Sequence, residues 1–230
     1  MNNWRRYAIY YTAPGPLGEF GAAWLGWDIE AGSVAARLGQ HRKLPPRIDA
    51  LTRTPRRYGF HATLKPPFRL HDDSSEDRLL DDLRDFAASQ PVILLAGGLR
   101  IASLDGFPAL IPGGPSQAVQ DLAARVVQVL DRHRAPLSPE ERARRVPERL
   151  TQAQRDLLDR WGYPWVLDQF RFHMTLGCRL PDDEVRAVID ALTPHLEPLL
   201  PDPHPIDALT LAGEDADGHF HQIARIALRV

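Results

Sequence analysis

Two segments of the chain, 112 residues apart, repeat one pattern. The first is Tyr58-Gly59-Phe60-His61-Ala62-Thr63-Leu64 and the second is Phe170-Arg171-Phe172-His173-Met174-Thr175-Leu176. Both read aromatic-x-Phe-His-x-Thr-Leu. The chain holds 9 histidines, and two of them fall at the same place in the same motif. In an extended strand successive side chains point to opposite faces. Each copy therefore has an apolar face, Phe60, Ala62 and Leu64 or Phe172, Met174 and Leu176, which a core must cover. On the other face it leaves one histidine and one threonine. Two such strands, expected over 57–64 and 168–178, place two imidazoles and two hydroxyls on opposite walls of one cleft.

The same parity puts Arg57 and Lys65 on the His61 face and Arg171 on the His173 face, provided no bulge intervenes. With Tyr58 they are the candidate phosphate-binding residues around a catalytic set of His61, Thr63, His173 and Thr175. The chemistry that suits this set is phosphodiester cleavage. A neutral imidazole takes a proton from attacking water and an imidazolium gives one to the leaving oxygen, both forms being accessible near pH 6.5. Hydroxyls and cations bind the non-bridging oxygens. This set needs no metal or other cofactor. The competing reading of one strand histidine beside a threonine is a half-exposed polar position, and the duplication argues against it.

Elsewhere the pattern is that of an α+β chain. A strand is expected over 5–12 and a polar loop over 40–56. Ser74 or Ser75 caps a helix buried through Leu79, Leu80, Leu83, Phe86 and Ala87. Strands follow at 91–95 and 99–111, the latter turning at Asp105-Gly106. A helix from Ser116 is buried through Val119, Leu122, Val126, Val129 and Leu130. Pro181 opens another, and two strands close the chain at about 206–212 and 220–230. Residues 135–165 form a Pro- and Arg-rich helical or loop insertion. Within it Arg142–Arg149 reads as a solvated basic face, with contact to a phosphorylated substrate as the alternative. Trp161, Tyr163 and Trp165 read as packing aromatics or as a base-stacking surface. His219 and His221 share a strand face at a spacing metals use, but lack companion ligands nearby. His41, His71, His133, His195 and His204 lie in polar or Pro-rich stretches and are expected to be solvated.

Composition narrows the classes. The net charge of −2 lacks the basic excess expected of a binder of long nucleic acid, whereas a small anionic ligand needs only a few local cations. No run approaches the ~20 apolar residues of a membrane span, and the N-terminus carries no stretch apolar enough for a signal peptide. The single cysteine, Cys178, excludes an internal disulfide framework. A cytoplasmic location is the expectation. Nothing in the sequence bears on oligomeric state.

At the two motifs the sequence resembles the 2H phosphoesterase superfamily, which takes its name from two His-x-Thr/Ser motifs. The stretch Arg56-Arg57-Tyr58-Gly59-Phe60-His61-Ala62-Thr63-Leu64-Lys65-Pro66-Pro67-Phe68 and the opening Tyr7-Ala8-Ile9-Tyr10-Tyr11 resemble a bacterial branch associated with phosphonate metabolism. The resemblance implies one bilobal α+β domain over 1–230. In it two mostly antiparallel sheets are related by a pseudo-twofold about a central cleft, with helices outside. It also implies a phosphoric diester hydrolase acting on a small cyclic phosphate or phosphodiester. An RNA-end or nucleotide 2′,3′-cyclic phosphodiesterase, and a non-catalytic binder of a phosphorylated metabolite, are the alternatives.

Overall fold

The computed structural model describes residues 4–38, 47–145 and 150–229. In chain order the strands and helices are β1 (Arg6–Tyr11), α1 (Gly15–Leu25), α2 (Ile48–Arg56), β2 (Ala62–Phe68), α3 (Glu76–Ser89), β3 (Ile93–Leu95), β4 (Leu99–Leu104), β5 (Phe107–Pro112), α4 (Gln117–Val129), α5 (Pro139–Arg145), α6 (Gln152–Trp161), β6 (Met174–Thr175), α7 (Asp182–Leu196), β7 (His204–Ile206), β8 (Ala208–Glu214) and β9 (Phe220–Ala227). The fold is α+β. A seven-stranded sheet has the order β4-β5-β6-β2-β1-β8-β9, and β3 and β7 form a small second sheet. Every pairing between these strands is antiparallel.

The strand alternation decides how the large sheet is covered. On β1, Tyr7, Ile9 and Tyr11 enter one core while Ala8 and Tyr10 enter a second, smaller one. The larger core takes the apolar faces of both motifs (Phe60, Ala62, Leu64, Phe172, Met174, Leu176). It also takes Phe20 and Trp24 of α1, Leu79 and Leu83 of α3, Val119, Leu122 and Val126 of α4, and Val188 and Leu192 of α7. Helices α1, α3, α4 and α7 thus lie against one face of the sheet. The Trp24 indole N–H donates to the Leu176 carbonyl at 2.6 Å, which ties α1 to the second motif.

Local chemistry sets the boundaries. Ser75 caps α3 by accepting from the Arg78 amide, above an acidic first turn of Glu76 and Asp77. Thr151 and Gln154 form a reciprocal capping box on α6. Asp105 (φ 49°) and Gly106 (φ 84°) turn β4 into β5, as the sequence predicts.

The motif strands are shifted or shortened from the expected 57–64 and 168–178 to Ala62–Phe68 and Met174–Thr175, and three expectations elsewhere change. The stretch read as a loop over 40–56 contains α2 from Ile48, while residues 39–46 lie outside the described set, and His41 with them. Pro55 lies in the last turn of α2 and cannot donate to the Leu51 carbonyl. That carbonyl instead accepts from the Cys178 amide at 2.8 Å, so the proline fixes α2 to the segment after the second motif. Val129, expected inside α4's buried face, is 44% exposed. His133 and His204, expected to be solvated, are 4% and 3% exposed. His133 bridges Ser74 Oγ and Asp82 Oδ2, at 2.6 Å each, and His204 Nε2 meets the Tyr11 hydroxyl at 2.9 Å.

Candidate active site

The two motif strands are not on opposing walls. They are neighbours at the middle of the sheet, with Ala62 paired to Met174. These are the central residues of the two His-x-Thr triplets, so an approximate twofold runs between β2 and β6. One step either side of this pair sets His61 opposite Thr175 and Thr63 opposite His173, all four on the face away from α4. Directly opposed residues have Cβ atoms about 4.5–5.5 Å apart and diagonal ones about 7–8 Å. Both imidazoles therefore reach one phosphoryl-sized space.

The rings are held in the same way. His61 Nδ1 lies 3.0 Å from the Gly59 carbonyl, and His173 Nδ1 lies 2.8 Å from the Arg171 carbonyl. A carbonyl only accepts, so each Nδ1 carries a proton and, when the ring is neutral, Nε2 keeps a lone pair. In His61 that lone pair accepts from the Thr63 hydroxyl at 2.9 Å. Gly59 adopts φ +73° and its missing side chain leaves room for Ile29, 2.7 Å from where a Cβ would stand. Glycine is what this turn into the first motif requires. Tyr10 stacks on His61 with ring centroids 3.7 Å apart and planes 27° off parallel.

Electrostatics separate the two. Burial, with a smaller contribution from the neighbouring His173, lowers the His61 pKa to about 4, against the opposing pull of the Gly59 carbonyl. Burial also lowers the pKa of His173, opposed by its bond to the Arg171 carbonyl and by Asp105.

The four motif residues line a cleft of about 520 Å³ together with Arg6, Tyr10, Tyr58, Asp105, Phe107, Arg145, Tyr163, Trp165, Gln169 and Arg171, among others. Arg171 and Tyr58 lie in it as the sequence predicts, and Arg171 is ion-paired to Asp105. Lys65 and Arg57 do not. Tyr10 pairs with Thr63 but Ile9 pairs with Lys65, so Leu64 is an extra residue in β2. This bulge reverses the parity beyond it. Lys65, 1% exposed, points to the helix side and donates to the Val127 carbonyl (3.2 Å) and Asp131 (3.1 Å). Arg57 is the C-cap of α2 in helical geometry, and its guanidinium lies 3.5 Å from Glu214.

Among cleft residues that the motifs do not reveal are Arg6, Tyr10 and Arg145. The parity of β1 alone sets Tyr10 on this face, once β1 is known to pair with β2. Trp165, 40% exposed, stands at the cleft in a T-shaped contact with Tyr163. His219 stacks on Trp27 and His221 is bonded to Asp215 at 2.7 Å. Among the described residues no three His, Cys, Asp or Glu side chains form a group able to hold a metal ion. No described helix is long and apolar enough to cross a membrane.

Two His-x-Thr strands meeting at one cleft are what the resemblance to the 2H phosphoesterases implies. The chain belongs to the family described as protein of unknown function DUF1045, whose model matches residues 63–221. It is 39% identical over 223 residues to a protein named ribose 1,5-bisphosphate phosphokinase PhnN from Janthinobacterium sp. (strain Marseille), covering 93% of this chain and 48% of that one. A protein of the same name from Laribacter hongkongensis (strain HLHK9) is 32% identical over 227 residues, with 96% and 51% covered. The chain thus spans about half the length of these relatives. Among solved structures it is similar to one titled as a phosphoesterase, with 14% identity, a TM-score of 0.45, and 98% and 99% of the chains covered. It is likewise similar to E. coli LigT complexed with 3′-AMP, with 16% identity, a TM-score of 0.45, and 99% and 100% covered. These structural likenesses are distant, and the site above stands on this chain's own geometry.

Proposed function

We propose that the chain is a phosphoesterase that opens a small cyclic phosphodiester to a phosphomonoester by paired histidine acid–base catalysis. The observation that carries this reading is the Ala62–Met174 pairing, which gathers both imidazoles and both threonines on one face. His61, the more strongly depressed of the two, stays neutral at working pH and acts as general base on water through Nε2. His173, whose proton Asp105 favours, delivers it to the leaving oxygen. Thr63, whose hydroxyl turns from His61 Nε2 to the substrate as water takes its place at the base, stabilises the non-bridging oxygens with Thr175 and Arg171 as charge builds on them. Water adds to phosphorus as the ring P–O bond breaks. The proton lost from water is balanced by the one gained by the leaving oxygen, so the pair returns to its starting state after one proton exchange with solvent.

The names of these relatives bring a ribose bisphosphate into view for the longer proteins, and a cyclic phosphate of a sugar is the substrate class to try first. In a panel of cyclic nucleotides and cyclic sugar phosphates, at least one should be hydrolysed. His61→Ala and His173→Ala should each lower its turnover by at least ~100-fold while the circular dichroism spectrum is retained. Full activity in either well-folded variant refutes the assignment.

A further inference from the structure

One end of the cleft holds more cationic and donor capacity than a single phosphoryl group at the two histidines can use. Arg145, at the C-terminus of α5, lines the cleft. Its Nη1 donates to the Gly162 carbonyl at 2.5 Å and its Nη2 to the Pro67 carbonyl at 3.0 Å. Both partners are neutral, and no ion pair to Arg145 is found among the described residues. A guanidinium has five N–H donors in a fixed fork, so donors remain for a ligand. Burial lowers its pKa, and Arg6 adds like-charge repulsion from close by. Glu141, the carboxylate among the described residues that acts on it, is itself held by Arg69 at 3.0 Å. Such a cation is costly to leave without an anion.

A second observation points to the same place. Tyr10 lines the cleft, and its hydroxyl is buried with no hydrogen-bond partner among the described residues. Arg6, Tyr58, Glu214 and Tyr163 are the charged and phenolic groups that act on it. Arg6 itself is bonded to Glu214 through Nε and Nη2, at 2.5 and 2.6 Å. Arg6 and Tyr10 share a face of β1 four residues apart, about 13 Å along the strand at ~3.3 Å per residue. The Tyr10 ring stacks on His61, and Arg6 is among the charges that act on its hydroxyl.

Resting on the reading above, we propose that Arg145, Arg6 and the Tyr10 hydroxyl form a second anion site, which takes a terminal phosphomonoester of the substrate while the cyclic phosphodiester lies on the two histidines. The substrate class is then a cyclic phosphate that carries a second phosphate, and the product is a bisphosphate. Arginine suits this task because its fork matches two phosphate oxygens at once.

The test compares ribose 2,3-cyclic phosphate with and without a 5-phosphate, and measures binding of ribose 5-phosphate by calorimetry. Wild-type protein should favour the phosphorylated member by roughly 30-fold in kcat/KM, the scale of a charge-assisted pair. In Arg145→Gln that preference should fall to under about threefold, mainly through KM, and ribose 5-phosphate should bind at least ~10-fold more weakly. Tyr10→Phe, which keeps the ring on His61, should lower the preference in part and guards against a folding failure in Arg145→Gln. Equal kcat/KM for the two members in wild type, or an unchanged preference in well-folded Arg145→Gln, overturns the inference, as does an analogue with a 5-carboxylate that performs as well. If neither member is hydrolysed yet ribose 5-phosphate binds in an Arg145-dependent way, the catalytic reading fails and the second anion site stands. Absence of both hydrolysis and binding removes the site as well.

Discussion

Burial lowers the pKa of His61 to about 4 and moves that of His173 in the same direction, below the usual 6.5. With His61 as base and His173 as acid, the free protein is competent only between these values. It needs His61 neutral, which holds above about pH 4, and His173 charged, which is lost as pH rises through its depressed pKa. The profile of kcat/KM, which reports the free protein, should therefore have an acidic optimum. A rate at least ~10-fold lower at pH 8 than at pH 5.5 is expected, since a group titrating at or below 6.5 is almost wholly deprotonated by then. In His173→Ala the small residual rate should lose its alkaline limb. A wild-type rate that climbs steadily to pH 8 would show that the roles are not divided this way. The identity of the four motif residues is legible in the sequence, because a repeated triplet with fixed parity is a local pattern. Their unequal electrostatics is not, because desolvation depends on the Tyr10 ring, stacked on His61 from β1, and on how the turn before β2 sets Tyr58 against the same imidazole.

Elements show where a local pattern stops short. The alternation Phe170, Phe172, Met174, Leu176 reads as a long strand, and all four side chains are buried. Yet the strand proper is only Met174–Thr175, with one further bond from the Leu176 amide to the Pro108 carbonyl, for alternation reports burial rather than hydrogen bonding. In β2 the error is of the opposite kind. Uninterrupted alternation carries Lys65 to the cleft, whereas one extra residue at Leu64 sends it to α4; Pro66 and Pro67 warn of a bulge but do not say at which residue it falls. Helix α2 is hidden by Pro55, a breaker whose cost is offset by a distant amide. The position of Lys65 has a measurable consequence. Its partner Asp131 also takes two bonds from Arg134, at 2.7 and 2.9 Å. Lys65→Met leaves Asp131 paired with Arg134, so the loss of stability should be small, at most ~2 kcal/mol, with turnover maintained. Asp131→Ala leaves a buried ammonium, its pKa already lowered to about 8 by burial, with one carbonyl for company. It should cost about 3–5 kcal/mol, the range for breaking a buried pair. Urea denaturation of both variants checks the asymmetry. A large loss of turnover without loss of stability in Lys65→Met would return that side chain to the cleft.

At the scale of the whole molecule, the fold closes around histidines that it keeps uncharged. His61, His133 and His204 come from β2's approach, the turn after α4, and β7, and burial lowers the pKa of each. For a group whose folded pKa lies below its unfolded one, the unfolded chain binds more protons in the interval between them, so stability falls as pH falls through that interval. The window opens near pH 6.5 and extends, for His61, to about 4. It lies above the range in which the carboxylates paired with arginine or histidine, Asp82, Asp131 and Asp215, would be protonated, since their pKa values are lowered. Thermal unfolding should therefore show a decline in Tm between pH 7 and pH 5. His204 tests the cause most cleanly because it stands outside the cleft. Its Nε2 faces the Tyr11 hydroxyl, its Nδ1 has no partner among the described residues, and Asp207 is the charge that favours its proton. His204→Phe removes a titrating ring, while the Tyr11 hydroxyl keeps its bond to the Pro205 carbonyl at 3.1 Å. The variant should lose less Tm than wild type between pH 7 and pH 5, whatever its stability at pH 7. A wild-type Tm that is flat over this range, or a variant with an unaltered slope, would mean that these buried imidazoles do not govern the acid response of the fold.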